Sequence, residues 1–224
     1  MSLNLIATII NYICNFLAVL ISLPCHEFAH AFAAVRNGDM TPKYSGRYTL
    51  NPFAHFDPLG LLMMVLVRFG WAKPVPVNPY NFRNYKKGLI EVSIAGVLTN
   101  LALAIIFCPL AILAGNITVT SSVAFPFLYF VYALPQSLFY LNVALFVFNL
   151  LPFYPLDGFR LIDSLTVKRG KVYQFLYRYG RFVLIGIILL GYMGSRFSIP
   201  QLNVLSYLIK WAAWPIEYLW RLII

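Results

Sequence analysis

The sequence contains little charge for its length, and this shortage excludes most classes of soluble protein. Only 11% of its 224 residues are Asp, Glu, Lys or Arg, whereas soluble domains average about 25%. Hydrophobic residues make up 61%, and the mean hydropathy is +0.76. A disordered chain does not have this composition, but a protein embedded in a bilayer does. We therefore expect one membrane-embedded domain over residues 1–224.

Cysteine pairs and a charged leader are also lacking. The three cysteines, Cys14, Cys25 and Cys108, lie in apolar stretches without a CxxC motif, which favours small core residues over a disulfide framework. No Lys or Arg precedes the apolar run at 3–23, so we expect a retained membrane helix rather than a signal peptide. The net charge is +10. Nucleic-acid binding would need these charges on one face of a soluble domain, which this composition does not offer, so no nucleic acid partner is expected.

Four apolar runs predict the helices of an all-α, polytopic membrane protein. They cover residues 3–35, 89–114, 134–151 and 182–194. Pro24 in the first run is expected to kink the helix or to start a new one, and the third run is expected to begin near Pro135 because proline disrupts helix interiors. Residues 36–58 and 115–124 are expected to be loops.

Two further segments each leave two arrangements open. The 13 residues at 59–71 would be about 20 Å long as a helix, which is short of a hydrocarbon core of about 30 Å, so this segment is re-entrant or lies in the interface. Three prolines make 73–79 extended. Residues 199–224 mix three tryptophans with charged residues, and this pattern is typical of an interfacial helix or of a last span.

The basic residues orient the chain. Most of the 17 Lys and Arg residues lie in the segments 36–58, 68–88 and 160–181. Since Lys and Arg collect on the cytoplasmic side, we expect these three segments on that side and the uncharged loop at 115–124 on the other. The end of the first helix and the end of the 134–151 helix then share the cytoplasmic side.

The motif HEFAH at 26–30 carries the most specific chemistry in the sequence. Histidines at i and i+4 share one face of a helix, and this spacing lets His26 and His30 bind one zinc ion. Glu27 borders the same face, where a carboxylate can take a proton from a metal-activated water. Because ionisable side chains are costly inside a membrane and mark functional sites there, the motif predicts a metal site.

A third ligand is expected, because catalytic zinc sites usually take three protein ligands. Asp157 lies in the stretch NLLPFYPLDG at 149–158, where prolines and Gly158 favour a tight turn. The alternative is a helix-ending turn that merely contains an aspartate. The charge pattern places Asp157 on the same side as the two histidines, and this agreement favours Asp157 as a ligand.

Together these motifs resemble the site-2 protease family of intramembrane zinc metalloproteases, in particular its small bacterial branch without a PDZ domain. HExxH followed by NxxPxxxLDG in an apolar chain is highly specific to this resemblance. The matching pieces follow the family order over residues 20–165: HEFAH at 26–30, GRYTLNP at 46–52, HFDPLG at 55–60, AKPVPVNP at 72–79, AGVLTN at 95–100 and NLLPFYPLDG at 149–158.

The resemblance implies a polytopic helical bundle with a three-helix catalytic core within residues 5–165, an extended or re-entrant segment near 59–79, and accessory helices at 182–224. It assigns one zinc ion (Zn2+) per chain to His26, His30 and Asp157. Glu27 would be the general base and later the proton donor. Asn149 matches the family asparagine that steadies the oxyanion.

Two more segments match the family with less specific roles. His55 lies in a motif near the site and would assist catalysis there, or it satisfies loop backbone. The segment 73–79 resembles the one that pairs with an unwound substrate, and an extended edge can accept a strand; a proline-stiffened loop is the alternative.

The chain departs from the family pattern at two places. The family often has AGP where this chain has AGV at 95–97, and the family's apolar stretch after the position of Gly60 is usually longer.

The function implied by the resemblance is proteolysis inside the bilayer. The expected partners are the lipid bilayer and a protein substrate with a transmembrane segment, and the expected location is a bacterial plasma membrane with the active site toward the cytoplasm. A zinc transporter or sensor with the same ligands, or an inactive membrane scaffold, is the alternative. A transporter would not need Glu27 to take a proton, so the Glu27→Gln variant separates these functions.

Overall fold

The computed structural model describes residues 3–60, 72–116 and 124–224. Its long helices are α1 (Leu3–Arg36), α4 (Tyr85–Gly115), α5 (Phe125–Leu150), α7 (Lys171–Arg196) and α8 (Val204–Arg221). Its short ones are α2 (Thr41–Tyr44), α3 (Pro52–His55) and α6 (Asp157–Leu165). The described ranges hold no β-strand, only an isolated antiparallel bridge between Phe56 and Ala72.

Four of these helices, α1, α4, α5 and α7, are long and apolar enough to cross a membrane. They correspond to the four predicted runs, so the prediction of an all-α, polytopic membrane protein is confirmed. Residues 61–71 of the expected re-entrant or interfacial segment lie outside the described residues. The same holds for 117–123 of the expected outer loop.

The helices are longer than the hydropathy pattern predicts. Pro24 and Pro135 lie inside continuous helices, with α5 beginning at Phe125, so proline marks neither boundary. Membrane helices tolerate proline because neighbouring groups satisfy the freed carbonyls. Helix α7 begins at Lys171 rather than 182, since basic residues are good helix formers even though they end an apolar run. The predicted loop at 36–58 contains the single turns α2 and α3.

The core lies where α1, α4 and α5 pack against one another. One buried cluster joins α4, α5 and α8 through small and β-branched side chains and one phenylalanine: Ala104, Cys108, Ala111, Phe139, Val143, Val147 and Ala213. Small residues let membrane helices approach closely. All three cysteines are free thiols, and Cys14 and Cys108 are fully buried, as expected for core residues.

Helix α8 rests on the core rather than apart from it. Its Ala213 is buried in the α4–α5 cluster. Its Trp220 indole Nε1 donates a hydrogen bond of 3.0 Å to the Ile105 carbonyl of α4. Helix α8 thus packs along α4 and α5, and both arrangements of 199–224, interfacial helix or last span, stay predictions.

Candidate metal centre

Three ligand atoms meet where α1 faces the beginning of α6. His30 Nε2 lies 3.1 Å from His26 Nε2 and 3.1 Å from Asp157 Oδ2. His26 Nε2 lies 3.3 Å from the same carboxylate oxygen. All three residues are buried, at 4–5% exposure. The structure therefore brings together the three residues that the sequence predicts as metal ligands.

The other ring nitrogen of each histidine is held by an acceptor on α4. His30 Nδ1 lies 2.7 Å from the Val92 carbonyl oxygen, and His26 Nδ1 lies 2.6 Å from Asn100 Oδ1. A backbone carbonyl only accepts, so His30 Nδ1 carries the proton and donates. This leaves the Nε2 lone pair of His30 directed at the other ligand atoms, as is usual for metal-binding histidines.

The triangle of ligand atoms fits a tetrahedral zinc ion. Bonds of about 2.0–2.1 Å at tetrahedral angles separate neighbouring ligand atoms by roughly 3.3–3.4 Å, close to the 3.1–3.3 Å found here. Two imidazole nitrogens cannot both carry a proton at 3.1 Å, and two lone pairs beside a carboxylate repel each other unless a cation lies between them. Nitrogen and carboxylate oxygen are also the ligands that zinc prefers in catalytic sites.

Asp157 reaches the histidines because the chain turns sharply after α5. A side chain at Gly158 would collide with the carbonyl oxygen of Leu150, so only glycine fits this turn. Asp157 Oδ1 lies 3.6 Å from the Arg160 guanidinium, while its Oδ2 faces the histidines. Burial raises the pKa of Asp157, but His30 and His26 outweigh it and hold that pKa well below its usual range. The carboxylate is therefore ionised.

Glu27 faces the extended segment after α3. Its Oε2 accepts a hydrogen bond of 3.2 Å from the Val75 backbone N–H. The segment is held at two further points: Lys73 N–H donates to the His55 carbonyl at 2.8 Å, and Asn78 N–H donates to Asp39 Oδ2 at 2.8 Å. The predicted base thus lies beside the HEFAH ligands and against the predicted extended segment.

Asp39 anchors this segment and received no role from the sequence. It is fully buried and accepts hydrogen bonds from the backbone of Thr41 and Asn78 and from the side chains of Thr41 and Asn81. Burial raises its pKa, but these hydrogen bonds outweigh burial and lower the pKa below its ordinary value. An aspartate shortly after a helix is common in turns, so no local pattern indicated this role.

Asn149 and His55 are not among the clustered ligand atoms. Asn149 lies near the end of α5, and its Nδ2 donates to the Leu145 carbonyl at 3.0 Å. His55 is fully buried, and its Nε2 bonds the Thr49 carbonyl at 2.8 Å. Its Nδ1 has no hydrogen-bond partner among the described residues. His55 thus satisfies loop backbone, and its catalytic role stays a prediction.

Sequence reasoning also missed a row of buried polar side chains behind His26. Asn100 Nδ2 donates to Asn142 Oδ1 at 2.9 Å, and Asn142 Nδ2 donates to Ser22 Oγ at 2.9 Å. In the sequence, Asn100 stands out only as the last residue of AGVLTN. The available signal was polarity within an apolar run, because a polar side chain in a membrane helix usually bonds to another helix.

Comparisons with known proteins find similarity to bacterial proteins that are named as putative zinc metalloproteases. It is 38% identical over 192 residues to a Bacillus subtilis protein named "Putative zinc metalloprotease YwhC", which covers 84% of either chain. It is 33% identical over 150 residues to a Mycobacterium tuberculosis protein named "Putative zinc metalloprotease Rip2", and 32% identical over 153 residues to the protein of that name from Mycolicibacterium smegmatis. Each Rip2 match covers 64% of this chain and 54% of the relative. Neither a protein-family model nor a solved structure matches the chain.

Proposed function

The chain belongs to the site-2 protease family, and we propose that it is a zinc metalloprotease that hydrolyses peptide bonds within or next to the transmembrane helices of other proteins. The observation that carries this proposal is the triangle of His26, His30 and Asp157 with Glu27 beside it. The matched relatives, named as zinc metalloproteases, support it. A scaffold would gain nothing from three buried ligand atoms arranged for a cation.

His26, His30 and Asp157 would hold one zinc ion per chain. When bound, zinc supplies a Lewis acid that polarises a carbonyl and lowers the pKa of water toward neutrality. The protein supplies the orientation of the ligands. The Val92 and Asn100 acceptors hold the imidazole rings, and the tight turn at Gly158 holds the carboxylate.

Glu27 is the group that moves the proton. Its carboxylate takes a proton from the attacking water as the water oxygen bonds to the scissile carbonyl carbon. The same carboxyl then gives that proton to the amide nitrogen as the C–N bond breaks, which releases an amine and a carboxylic acid. The Val75 N–H bond to Oε2 fixes the carboxylate orientation. Asn149, at the end of α5, is proposed to donate to the developing oxyanion.

A substrate helix must open before its backbone can react. Its N–H and C=O groups are paired within the helix, and lipid offers no replacement partners. The segment from Lys73 to Asn78 is extended, with Pro74 and Pro76 exposed on one side and Val75 buried on the other. Its exposed carbonyls can accept hydrogen bonds from an unwound strand, although its prolines cannot donate any.

The basic residues support a cytoplasmic active site. Arg160 lies beside Asp157, and Lys73 lies two residues before Val75, whose N–H bonds Glu27. Lys87 pairs with Glu91, which accepts from Asn37 just after α1. The end of the bundle that holds the site thus carries the positive charge that marks the cytoplasmic side. We assign the protein to a bacterial plasma membrane, where the partners are lipid and a membrane-spanning substrate.

The Glu27→Gln variant tests the proposal. The purified wild type, Glu27→Gln and Asp157→Ala proteins are compared for bound zinc by elemental analysis. The same proteins are compared for cleavage of a panel of single-span reporter proteins in liposomes. We expect about one zinc per chain in the wild type and in Glu27→Gln, cleavage only in the wild type, and neither property in Asp157→Ala.

Two results would contradict the proposal. Zinc transport or sensing that survives Glu27→Gln, without any cleavage by the wild type, would favour a transporter. A wild type that contains no zinc when purified without chelators would favour a scaffold.

A further inference from the structure

A buried row of hydrogen bonds connects α5 and α1 to His26. Asn142 Nδ2 donates to Ser22 Oγ at 2.9 Å and to the Leu138 carbonyl at 2.8 Å. Asn142 Oδ1 accepts from Asn100 Nδ2 at 2.9 Å, and Asn100 Oδ1 lies 2.6 Å from His26 Nδ1. The three side chains behind His26 are fully buried, at 0% exposure.

The direction of this row is fixed at its far end. The Leu138 carbonyl is only an acceptor, so the amide nitrogen of Asn142 must face it. Both hydrogens of that nitrogen are then used, one on Leu138 and one on Ser22. Asn142 Oδ1 is left facing Asn100, which must present its own amide nitrogen there and its oxygen to His26. The His26 Nδ1 atom can then only donate.

This arrangement determines which ring nitrogen of His26 carries the proton. With the proton on Nδ1, a neutral imidazole leaves Nε2 as a bare lone pair, which is the form that binds a metal. If Asn100 turned over, its amide nitrogen would face Nδ1, the proton would move to Nε2, and the metal-binding atom would be blocked. His30 needs no such control, because its Nδ1 donates to the Val92 backbone carbonyl.

We propose that Asn142, acting through Asn100, is a positioning residue that holds His26 in the tautomer able to bind zinc. Asn142 does not contact a ligand atom of the cluster: its recorded partners are Asn100, Ser22 and Leu138. The inference rests on the proposed zinc site and adds a residue on α5 to it. Outer partners of this kind typically change metal affinity by about 10–100-fold.

The Asn142→Leu variant tests this role, with Gln136→Leu as the matched control. Gln136 also lies on α5 and donates to α4, to the Ala111 carbonyl at 2.8 Å, but it has no recorded link to His26. Both variants lose an amide hydrogen bond between α4 and α5, and Asn142→Leu also loses the bond to Ser22 of α1. Zinc dissociation constants are measured by competition with a chelator. The ring tautomers are read from nitrogen NMR of the metal-free full-length protein, whose three histidines give a simple spectrum.

We expect zinc to bind about 10–100-fold more weakly to Asn142→Leu than to the wild type, while Gln136→Leu binds as the wild type does. In metal-free Asn142→Leu the His26 proton should move from Nδ1 toward Nε2. Adding Asn100→Asp to Asn142→Leu should restore zinc affinity, because a carboxylate offers Nδ1 an acceptor whichever way it turns. If Asn142→Leu does not fold, Asn142→Ala removes the same amide with less bulk.

Equal zinc affinity and an unchanged His26 tautomer in Asn142→Leu would overturn the inference. So would an equal loss of affinity in Gln136→Leu, because the effect would then be a general loosening of the bundle. Failure of the proposed function appears differently, as a wild type that binds no zinc. The tautomer measurement on metal-free protein still decides the role of Asn142 in that case.

Discussion

Gly96 of α4 shows how closely the metal site is packed at the scale of single residues. A Cβ atom added there would lie 2.5 Å from His26 Cε1 and 2.5 Å from His30 Nε2, closer than side-chain atoms approach without displacement. The absence of a side chain therefore lets α4 come near enough to deliver Asn100 and the Val92 carbonyl to the two rings. The glycine of AGVLTN is thus required by the position of the imidazoles.

Replacing Gly96 with alanine should impair zinc binding. The new methyl group would displace both rings, so we expect zinc affinity to fall by about tenfold or more. The control is Gly186→Ala on α7, where an added Cβ meets nothing within 4 Å and alanine favours the helix. Chelator competition measures the affinity. Unchanged binding by Gly96→Ala would show that the site tolerates a wider separation of α1 and α4.

At the scale of a structural element, the extended segment from Lys73 to Asn78 supports the predicted base, Glu27. Three backbone N–H groups hold it in place. Lys73 donates to the His55 carbonyl, Val75 donates to Glu27, and Asn78 donates to Asp39. Pro74 and Pro76, on either side of Val75, have no N–H to donate. The segment therefore contributes one backbone donor, the Val75 N–H, to the predicted base.

The Val75→Pro variant removes that donor along with the buried valine side chain. Proline is compatible with an extended path but lacks the N–H that bonds Glu27, so the carboxylate loses one constraint on its orientation. We expect cleavage of a reporter protein to slow by up to about 100-fold without loss of bound zinc. Val75→Ala keeps the N–H and is the control. Equal rates in Val75→Pro and the wild type would mean that Glu27 needs no help from this segment.

At the scale of the whole molecule, the bundle carries the proposed catalytic groups at one end of long helices. Helix α1 has 34 residues, about 51 Å at 1.5 Å per residue, which exceeds a hydrocarbon core of about 30 Å. The HEFAH motif lies in its last third. Under the proposed function, water reaches the site from this end, and a substrate helix presents an opened stretch of backbone there.

The stability of the helix formed by a substrate segment should therefore affect the rate at which that segment is cleaved. Replacing the Gly, Pro or Asn residues of a cleaved segment with leucine should slow its cleavage, because leucine strengthens the helix that must open. Gel analysis of cleavage in liposomes measures this, with a leucine substitution outside the segment as the control. Cleavage at the same rate with and without the helix-breaking residues would contradict this requirement.

The sequence alone determined the four membrane helices and the chemistry of the ligand set. Hydropathy over some 20 residues is a local property, and so is the i, i+4 spacing that puts His26 and His30 on one face. The third ligand, Asp157, followed from charge topology and the motif. Helix ends were missed because prolines inside α1 and α5 are tolerated in a packed membrane bundle.

Only the tertiary structure decided which groups hold these residues in place. The partners lie far apart in the chain: 74 residues separate His26 from Asn100, and 120 separate Ser22 from Asn142. An apolar run that contains one asparagine shows that a partner is needed, but not which one. The contacts of Glu27 with Val75 and of Asp39 with Asn78 likewise depend on backbone atoms, which carry no sequence signal. Packing of α1, α4 and α5 brings these donors and acceptors within hydrogen-bonding distance, and no local pattern encodes that distance.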